Sequence, residues 1–227
     1  MRGGEIIAAA QGKVMAKGPY FELGIAALQQ HFNFSPHSPM FKAVRLIPEG
    51  AAVLEIGCAR GYVAKELSKK NCRVTGIEID SVAADAASKY CRQIICGNIE
   101  QIENFDLKDS PFDYILCLDI LEHLARPDLL LEKIGPYLKD EGYLIVNLPN
   151  IARLEHRLKL LFGNFDYDIG GALSKGHLRF FTRKTTQQLL ETSGYRIVRV
   201  GSTGLGSRIR VWPTLLSFSF LIMAQKE

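Results

Sequence analysis

Between Val53 and Pro149, short apolar runs rich in β-formers alternate with stretches whose apolar residues recur at helical spacing. This is the pattern of βαβ units, in which a parallel strand needs a crossover helix to return to the same edge of the sheet. Residues 53–56, 73–79, 93–96, 114–118 and 143–148 read as five strands, with helices expected over 62–70, 82–90 and 129–138. Asp140-Glu141-Gly142 is expected to close the last of these helices. After Pro149 the pattern changes. Apolar residues at 151, 154, 158, 161 and 162 have the spacing of an amphipathic helix, which Gly163-Asn164 would end. A polar loop over 166–176 follows, then Thr182 as N-cap of a helix running to about Ser193, with Gly194 as its stop. Residues 196–200 and 215–224 read as two closing strands around Gly201, Gly204 and Gly206. The second of these runs is ten residues long, too short for a bilayer span of roughly 20.

One strand-to-helix turn carries chemistry. The run Val53-Leu54-Glu55-Ile56-Gly57-Cys58-Ala59-Arg60-Gly61 leads an apolar strand into a glycine turn, where the missing Cβ lets a ligand approach backbone. An acid, Glu78, stands 21 residues after Gly57, in Val74-Thr75-Gly76-Ile77-Glu78-Ile79-Asp80. Such an acid at the end of the next strand can grip a ribose. A dinucleotide fingerprint needs glycine at the first, third and sixth positions, which here hold Gly57, Ala59 and Tyr62. Two of the three fail, so the turn reads instead as acid-x-Gly-x-Ala-x-Gly.

That arrangement resembles motif I of the class I S-adenosylmethionine (SAM) methyltransferases. Three further stretches carry the likeness: Cys96-Gly97-Asn98-Ile99-Glu100, then Phe112-Asp113-Tyr114-Ile115-Leu116-Cys117-Leu118-Asp119-Ile120-Leu121-Glu122-His123, and later His177-Leu178-Arg179-Phe180-Phe181-Thr182. From about residue 51 to 227 the chain is similar to the small-molecule members, including some found beside polysaccharide-glycosyltransferase genes. The resemblance implies an α/β, Rossmann-like mixed sheet of seven strands in the order 3-2-1-4-5-7-6, with the seventh antiparallel and helices on both faces. It implies SAM as cofactor, held by Glu55, Gly57, Cys58, Ala59, Gly61, Tyr62, Glu78, Ile79, Asn98, Ile99 and Asp119. Glu78 would accept from the ribose hydroxyls, and Asn98, which stands where an aspartate is frequent, from the adenine amino group. Ala59 replaces a frequent glycine and is tolerable if its φ is negative. Asp119 either lines the methionine side or serves its loop, Asp80 reads as a helix N-cap, and Cys58 and Cys117 as packing residues.

Composition bounds the rest. With 227 residues, 47% of them apolar and 23% charged, the chain suits one domain over 51–227 behind a helical leader over 1–50. Tyr20, Phe21, Phe32 and Phe34 would let that leader fold over the cofactor. The five cysteines form no Cys-x-x-Cys pair, which favours a reducing cytoplasm and no metal site. A net charge of +4 is too small for a dedicated nucleic-acid binder. Residues 151–184 alone hold seven Lys or Arg against three acids, the same net +4, so a substrate-side insertion over about 150–182 is the expected substrate wall. Arg153, Arg157 and Arg179 there could clamp an anion.

Methyl transfer from a sulfonium needs mainly positioning and exclusion of water, and a hydroxyl acceptor adds the need for a base. His123 and His177 are the candidates, while His31, His37 and His156 read as ordinary surface or packing residues. The expected acceptor is a small, anionic, hydroxylated molecule such as a phosphorylated or nucleotide-linked sugar. Three rivals remain beside it. A nucleic-acid amino-methyltransferase needs Asn/Asp-Pro-Pro-aromatic after the fourth strand, where this chain has Leu118-Asp119-Ile120-Leu121; Asn147-Leu148-Pro149-Asn150 follows the fifth. A nicotinamide dehydrogenase is opposed by the glycine spacing. A SAM-binding module without catalysis stays open, since no base is unambiguous.

Overall fold

The computed structural model describes residues 5–8, 35–168, 170–204 and 212–227, the first four as backbone. In chain order these form β1 (Glu5–Ala8), α1 (Pro39–Leu46), β2 (Ala52–Ile56), α2 (Tyr62–Ser68), β3 (Arg73–Glu78) and α3 (Ser81–Ala87). Then come β4 (Gln93–Cys96), β5 (Phe112–Leu118), α4 (Pro127–Ile134), β6 (Leu138–Pro149) and α5 (Leu154–Leu161). The chain closes with α6 (Arg183–Thr192), β7 (Tyr195–Ser202), a helical turn α7 (Pro213–Leu216) and β8 (Ser219–Lys226).

The sheet order is β1-β4-β3-β2-β5-β6-β8-β7. Seven of these strands reproduce the expected order 3-2-1-4-5-7-6, and β8 is antiparallel to both β6 and β7. The eighth, β1, lies parallel to β4 with Glu5 opposite Gln93. The leader thus supplies an edge strand and the helix α1, while Tyr20, Phe21, His31, Phe32 and Phe34 lie outside the described residues.

Central strands are buried on both faces, so β2 reads as an uninterrupted apolar run broken only by Glu55. Ala52, Leu54 and Ile56 face one core with Ile115, Leu131 and Leu190; Val53 faces the other with Val63, Leu67, Ala84 and Leu116. The chain leaves β2 toward β3 on one side, and β5 pairs with β2 on the other. That reversal is the topological switch point, where a crevice opens at the carboxyl ends of parallel strands.

Among the element boundaries that differ from the sequence pattern, three have a local cause. The helix expected over 129–138 ends at Ile134 and passes into a 3-10 turn over Gly135–Tyr137, because Pro136 has no N–H to continue the ladder. Strand β6 therefore begins at Leu138. The last strand starts at Ser219 rather than 215 because α7 occupies Pro213–Leu216, and Asn150 Nδ2 holds this turn by donating to Thr214 O and Ser217 O. Helix α6 keeps its expected cap: Thr182 and Thr185 form a reciprocal capping box.

Candidate active site

The glycine turn between β2 and α2 sits at the switch point and takes the left-handed region three times, with φ of +72° at Gly57, +46° at Ala59 and +74° at Gly61. At Gly61 the requirement is absolute: a Cβ there would stand 2.9 Å from Ala87 Cα. Ala59 departs from the expectation of negative φ. It adopts a conformation that costs a non-glycine residue about 1 kcal/mol, held by its N–H donating to Glu78 Oε2 at 2.8 Å. A glycine the sequence reading passed over, Gly76 in β3, makes the turn possible, since a Cβ there would lie 2.7 Å from Cys58 Sγ and from Ile94 Cδ1.

Glu78 is the centre of this cradle. Its Oε2 accepts from Ala59 N–H and its Oε1 from Ile79 and Asp80 N–H, both at 2.9 Å. Burial pushes its carboxyl up from the usual range, and these three donors oppose that push. A carboxylate has about four lone-pair sites, so it keeps capacity for a hydroxyl donor. Asp80, as expected, caps α3 by accepting from Val82 and Ala83 N–H. Ile79, 45% exposed, leaves an apolar surface beside the acid where an adenine could lie.

Other expected cofactor residues divide. Glu55 is buried, its carboxyl pushed well up by burial and then by Cys91 and Glu78, and its Oε2 has no hydrogen-bond partner. An orphaned oxygen beside the glycine turn fits a polar ligand. Cys58 packs its buried sulfur in the core, leaving only backbone to the turn, and Tyr62 opens α2 directly behind Gly61. Asn98 Oδ1 accepts from Glu100 N–H, which shares the acceptor assigned to adenine. Ile99 differs from expectation: its side chain belongs to the core beside Leu121 and Leu124.

Across the crevice, Asp119 takes φ +54° at the end of β5 and is tied to β6 by two bonds. Its N–H donates to Asn147 O, and its Oδ1 accepts from Asn147 Nδ2 at 2.5 Å. Burial lifts its carboxyl to about 6 against the pull of that amide. Asn147 was missed; a lone amide inside the apolar run of β6 was the available signal.

The two candidate histidines, 54 positions apart in the chain, meet edge to face with ring centroids 4.8 Å apart. His123 ends a 3-10 turn, Leu121–His123, that follows β5. His177 arrives from the late loop, which docks on this turn through Leu178 and Arg179 N–H donating to Glu122 O. Burial lowers the basicity of His123, and burial followed by His123 brings His177 down to about 4. Both rings are therefore neutral near pH 7. Beside them lies a second missed residue, Glu122, 1% exposed, its Oε1 3.9 Å from His177 Nε2. Burial, then the nearby Asp119, pushes its carboxyl well up. The glycine turn touches this region directly, since a Cβ on Gly57 would meet Ile120 Cδ1 at 3.0 Å.

The arginine clamp does not assemble. Arg153 stacks over the Phe218 ring at 3.7 Å and pairs with Glu155. Arg157 Nε donates to Ala152 O, and Arg179 Nη2 donates to Ala125 O. Each guanidinium serves a local partner, and α5 buries none of its residues among those described. No helix among the described residues is long and apolar enough to cross a membrane.

A family model described as a methyltransferase domain matches residues 27–200. A ubiquinone biosynthesis O-methyltransferase from Coxiella burnetii is 22% identical over 67% of this chain and 66% of its own length. An (S)-coclaurine N-methyltransferase from Papaver somniferum is 30% identical over 44% of this chain and 30% of its own. Among solved structures, a SAM-dependent methyltransferase from Thermotoga maritima, titled a possible histamine N-methyltransferase, superposes with a TM-score of 0.66 at 23% identity. It covers 92% of this chain and 99% of that one, a likeness of fold. The match to the first of these relatives spans just under two thirds of that protein. The turn, the acid at its side and the strand order agree with what these comparisons return: the chain belongs to the methyltransferase-domain family, and S-adenosylmethionine is the cofactor that membership implies.

Proposed function

We propose that the protein transfers a methyl group from S-adenosylmethionine to a hydroxyl of a small acceptor. The observation that carries this reading is the contact between two built regions across the switch point. On one side is a cradle whose acid is held by three backbone N–H groups; on the other is a cluster of one buried carboxyl and two half-buried, neutral imidazoles. The cofactor supplies an activated methyl group on a sulfonium. The chain's own residues then have three tasks. Glu78 and the turn of Gly57, Ala59 and Gly61 orient the nucleoside end, with Glu55, Tyr62, Ile79 and Asn98 around it. Asp119 and Asn147, pinned to each other, shape the wall at the end of β5 and β6. His123 and His177, held beside the buried Glu122 carboxyl, receive the acceptor's hydroxyl proton, a role that suits imidazoles that are neutral at working pH.

The charge excess of residues 151–184 supports an anionic acceptor, a sugar phosphate being the simplest that is also hydroxylated. Because Arg153, Arg157 and Arg179 are locally engaged, that preference acts through the field of the segment rather than through a bidentate clamp. The names of the relatives span O- and N-methyltransferases, and the two neutral imidazoles favour oxygen here.

The test is a screen of methyl-labelled cofactor against small hydroxylated compounds with and without phosphate or carboxylate groups. Label should pass to a hydroxyl compound and should be lost in Glu78→Ala. Cofactor binding with no label transferred to any acceptor would favour a binding module instead, and transfer that survives in Glu78→Ala would refute the ribose assignment.

A further inference from the structure

The cluster at the end of β5 gathers two imidazole lone pairs and a buried carboxyl with no hydrogen-bond partner. His177 Nδ1 lies 3.1 Å from Ala172 O, and His123 Nδ1 lies 3.0 Å from Gly176 O. A carbonyl can only accept, so each Nδ1 carries the ring proton, and each Nε2 in the neutral ring presents a lone pair. His177 Nε2 faces Glu122 Oε1 at 3.9 Å, too far for a hydrogen bond. Glu122 is buried, and neither of its carboxyl oxygens has a hydrogen-bond partner. One ligating atom from each of Glu122, His123 and His177 lies within 4.8 Å of the others.

Two imidazole lone pairs and a buried carboxyl that no neighbour satisfies, brought within 4.8 Å of one another, are what a cation would satisfy, the carboxyl giving up its proton as the ion binds. We infer that Glu122, His123 and His177 form a binding site for one divalent first-row transition ion, of the Mn²⁺, Fe²⁺ or Zn²⁺ type. The choice of ion follows from the donors. Two imidazoles and one carboxylate suit transition metals with positions left open, whereas Mg²⁺ and Ca²⁺ prefer all-oxygen sets. The supports are also those of a ligand set: an Nδ1–H bonded to a backbone carbonyl fixes the tautomer and aims Nε2. The third ligand arrives only because the late loop docks on the backbone carbonyl of Glu122 itself. The absence of Cys-x-x-Cys, which suggested a metal-free chain, bears only on thiolate sites.

An ion held there would polarise an acceptor hydroxyl and take over from a free imidazole the task of lowering its pKa. That consequence rests on the methyltransferase reading; the site does not. The test therefore measures ion binding without turnover. Chelator-treated full-length protein is titrated with Mn²⁺ alone and with Zn²⁺ alone by calorimetry, with Mg²⁺ as contrast. The expected result is one Mn²⁺ or Zn²⁺ per chain, weakened about tenfold or more in Glu122→Gln and in His177→Asn, each of which still binds S-adenosylhomocysteine. Should Glu122→Gln fail to fold, His123→Asn, at a half-buried ring, serves in its place. No stoichiometric ion binding by the wild type, or binding unchanged in the variants, overturns the site. Ion binding without any S-adenosylhomocysteine binding would leave the site standing and sink the cofactor reading.

Discussion

The cradle between β2 and β3 and the segment from residue 150 to 182, the expected substrate wall, are built in opposite ways. In the cradle almost every conformational choice is enforced: the N–H of Ala59 and those of Ile79 and Asp80 end on one carboxylate, and Gly61 and Gly76 leave no room for a Cβ. In the later segment, helix α5 exposes Leu154, Leu158 and Leu161, and its arginines serve carbonyls and a ring nearby. A site for an invariant cofactor can be locked by backbone, whereas a surface that selects an acceptor can vary side chain by side chain without disturbing the sheet. The Glu122–His123–His177 cluster stands between these extremes, rigid on the β5 side and dependent on loop docking on the other.

This contrast can be broken most severely at Glu78. Glu78→Ala removes the shared acceptor and leaves three N–H groups unpaired, so S-adenosylhomocysteine affinity should fall about 100-fold, roughly 2.7 kcal/mol, by calorimetry. Retained affinity would show that the cradle is not the nucleoside site. Next in size is Gly61→Ala, which combines positive φ with backbone overlap and should cost about 2–3 kcal/mol in urea unfolding. Ala59→Gly, one turn residue away, should instead raise stability by about 0.5 kcal/mol, because relief of the left-handed strain slightly exceeds the added freedom of the unfolded chain. If the two substitutions shift stability alike, the turn is less constrained than its geometry implies.

Asp119 offers a test by pH. Its carboxyl is raised to about 6 in the folded state, against about 3.9 in an unfolded chain. Its stabilising effect is therefore complete below pH 4 and is lost as pH rises through 6. Asp119→Asn, which keeps an acceptor for Asn147, should match the wild type at pH 4 and exceed it by about 1–2 kcal/mol at pH 8, compared by urea midpoints in chelator-treated protein. A constant difference across that range would place the titration elsewhere. Smallest are the arginines: Arg153→Ala, Arg157→Ala and Arg179→Ala should each change KM for an anionic acceptor by about threefold or less, the scale of an exposed charge. A loss of about 100-fold in any one would mean that the segment rearranges into a clamp when the acceptor binds.

Much of the cradle was legible because its information is local. Gly57, Gly61, Glu55 and Glu78 lie at fixed offsets along two strands and a turn, and a backbone that needs positive φ announces itself through glycine. Ala59 was misjudged for the same reason in reverse: its φ is imposed by a bond to Glu78, one strand away. Glu122 and Asn147 were passed over because each is a single polar residue in an apolar run, and only burial turns such a residue into a signal. Asn98 and Ile99 follow β4 as expected, but Ile99 turns its side chain into the core. The arginines were grouped by charge along the chain, although sequence nearness does not make guanidinium groups converge.

By itself the sequence determined the βαβ succession, the switch point and the kind of ligand the first turn receives, because alternation, glycine and a spaced acid act over distances the chain itself sets. Only the tertiary structure decided that His123 and His177 would meet, that Glu122 would be buried beside them without a hydrogen-bond partner, and that the arginines would stay apart. Those outcomes depend on a late loop folding back onto a turn more than 50 residues earlier, a long-range contact that no local pattern encodes.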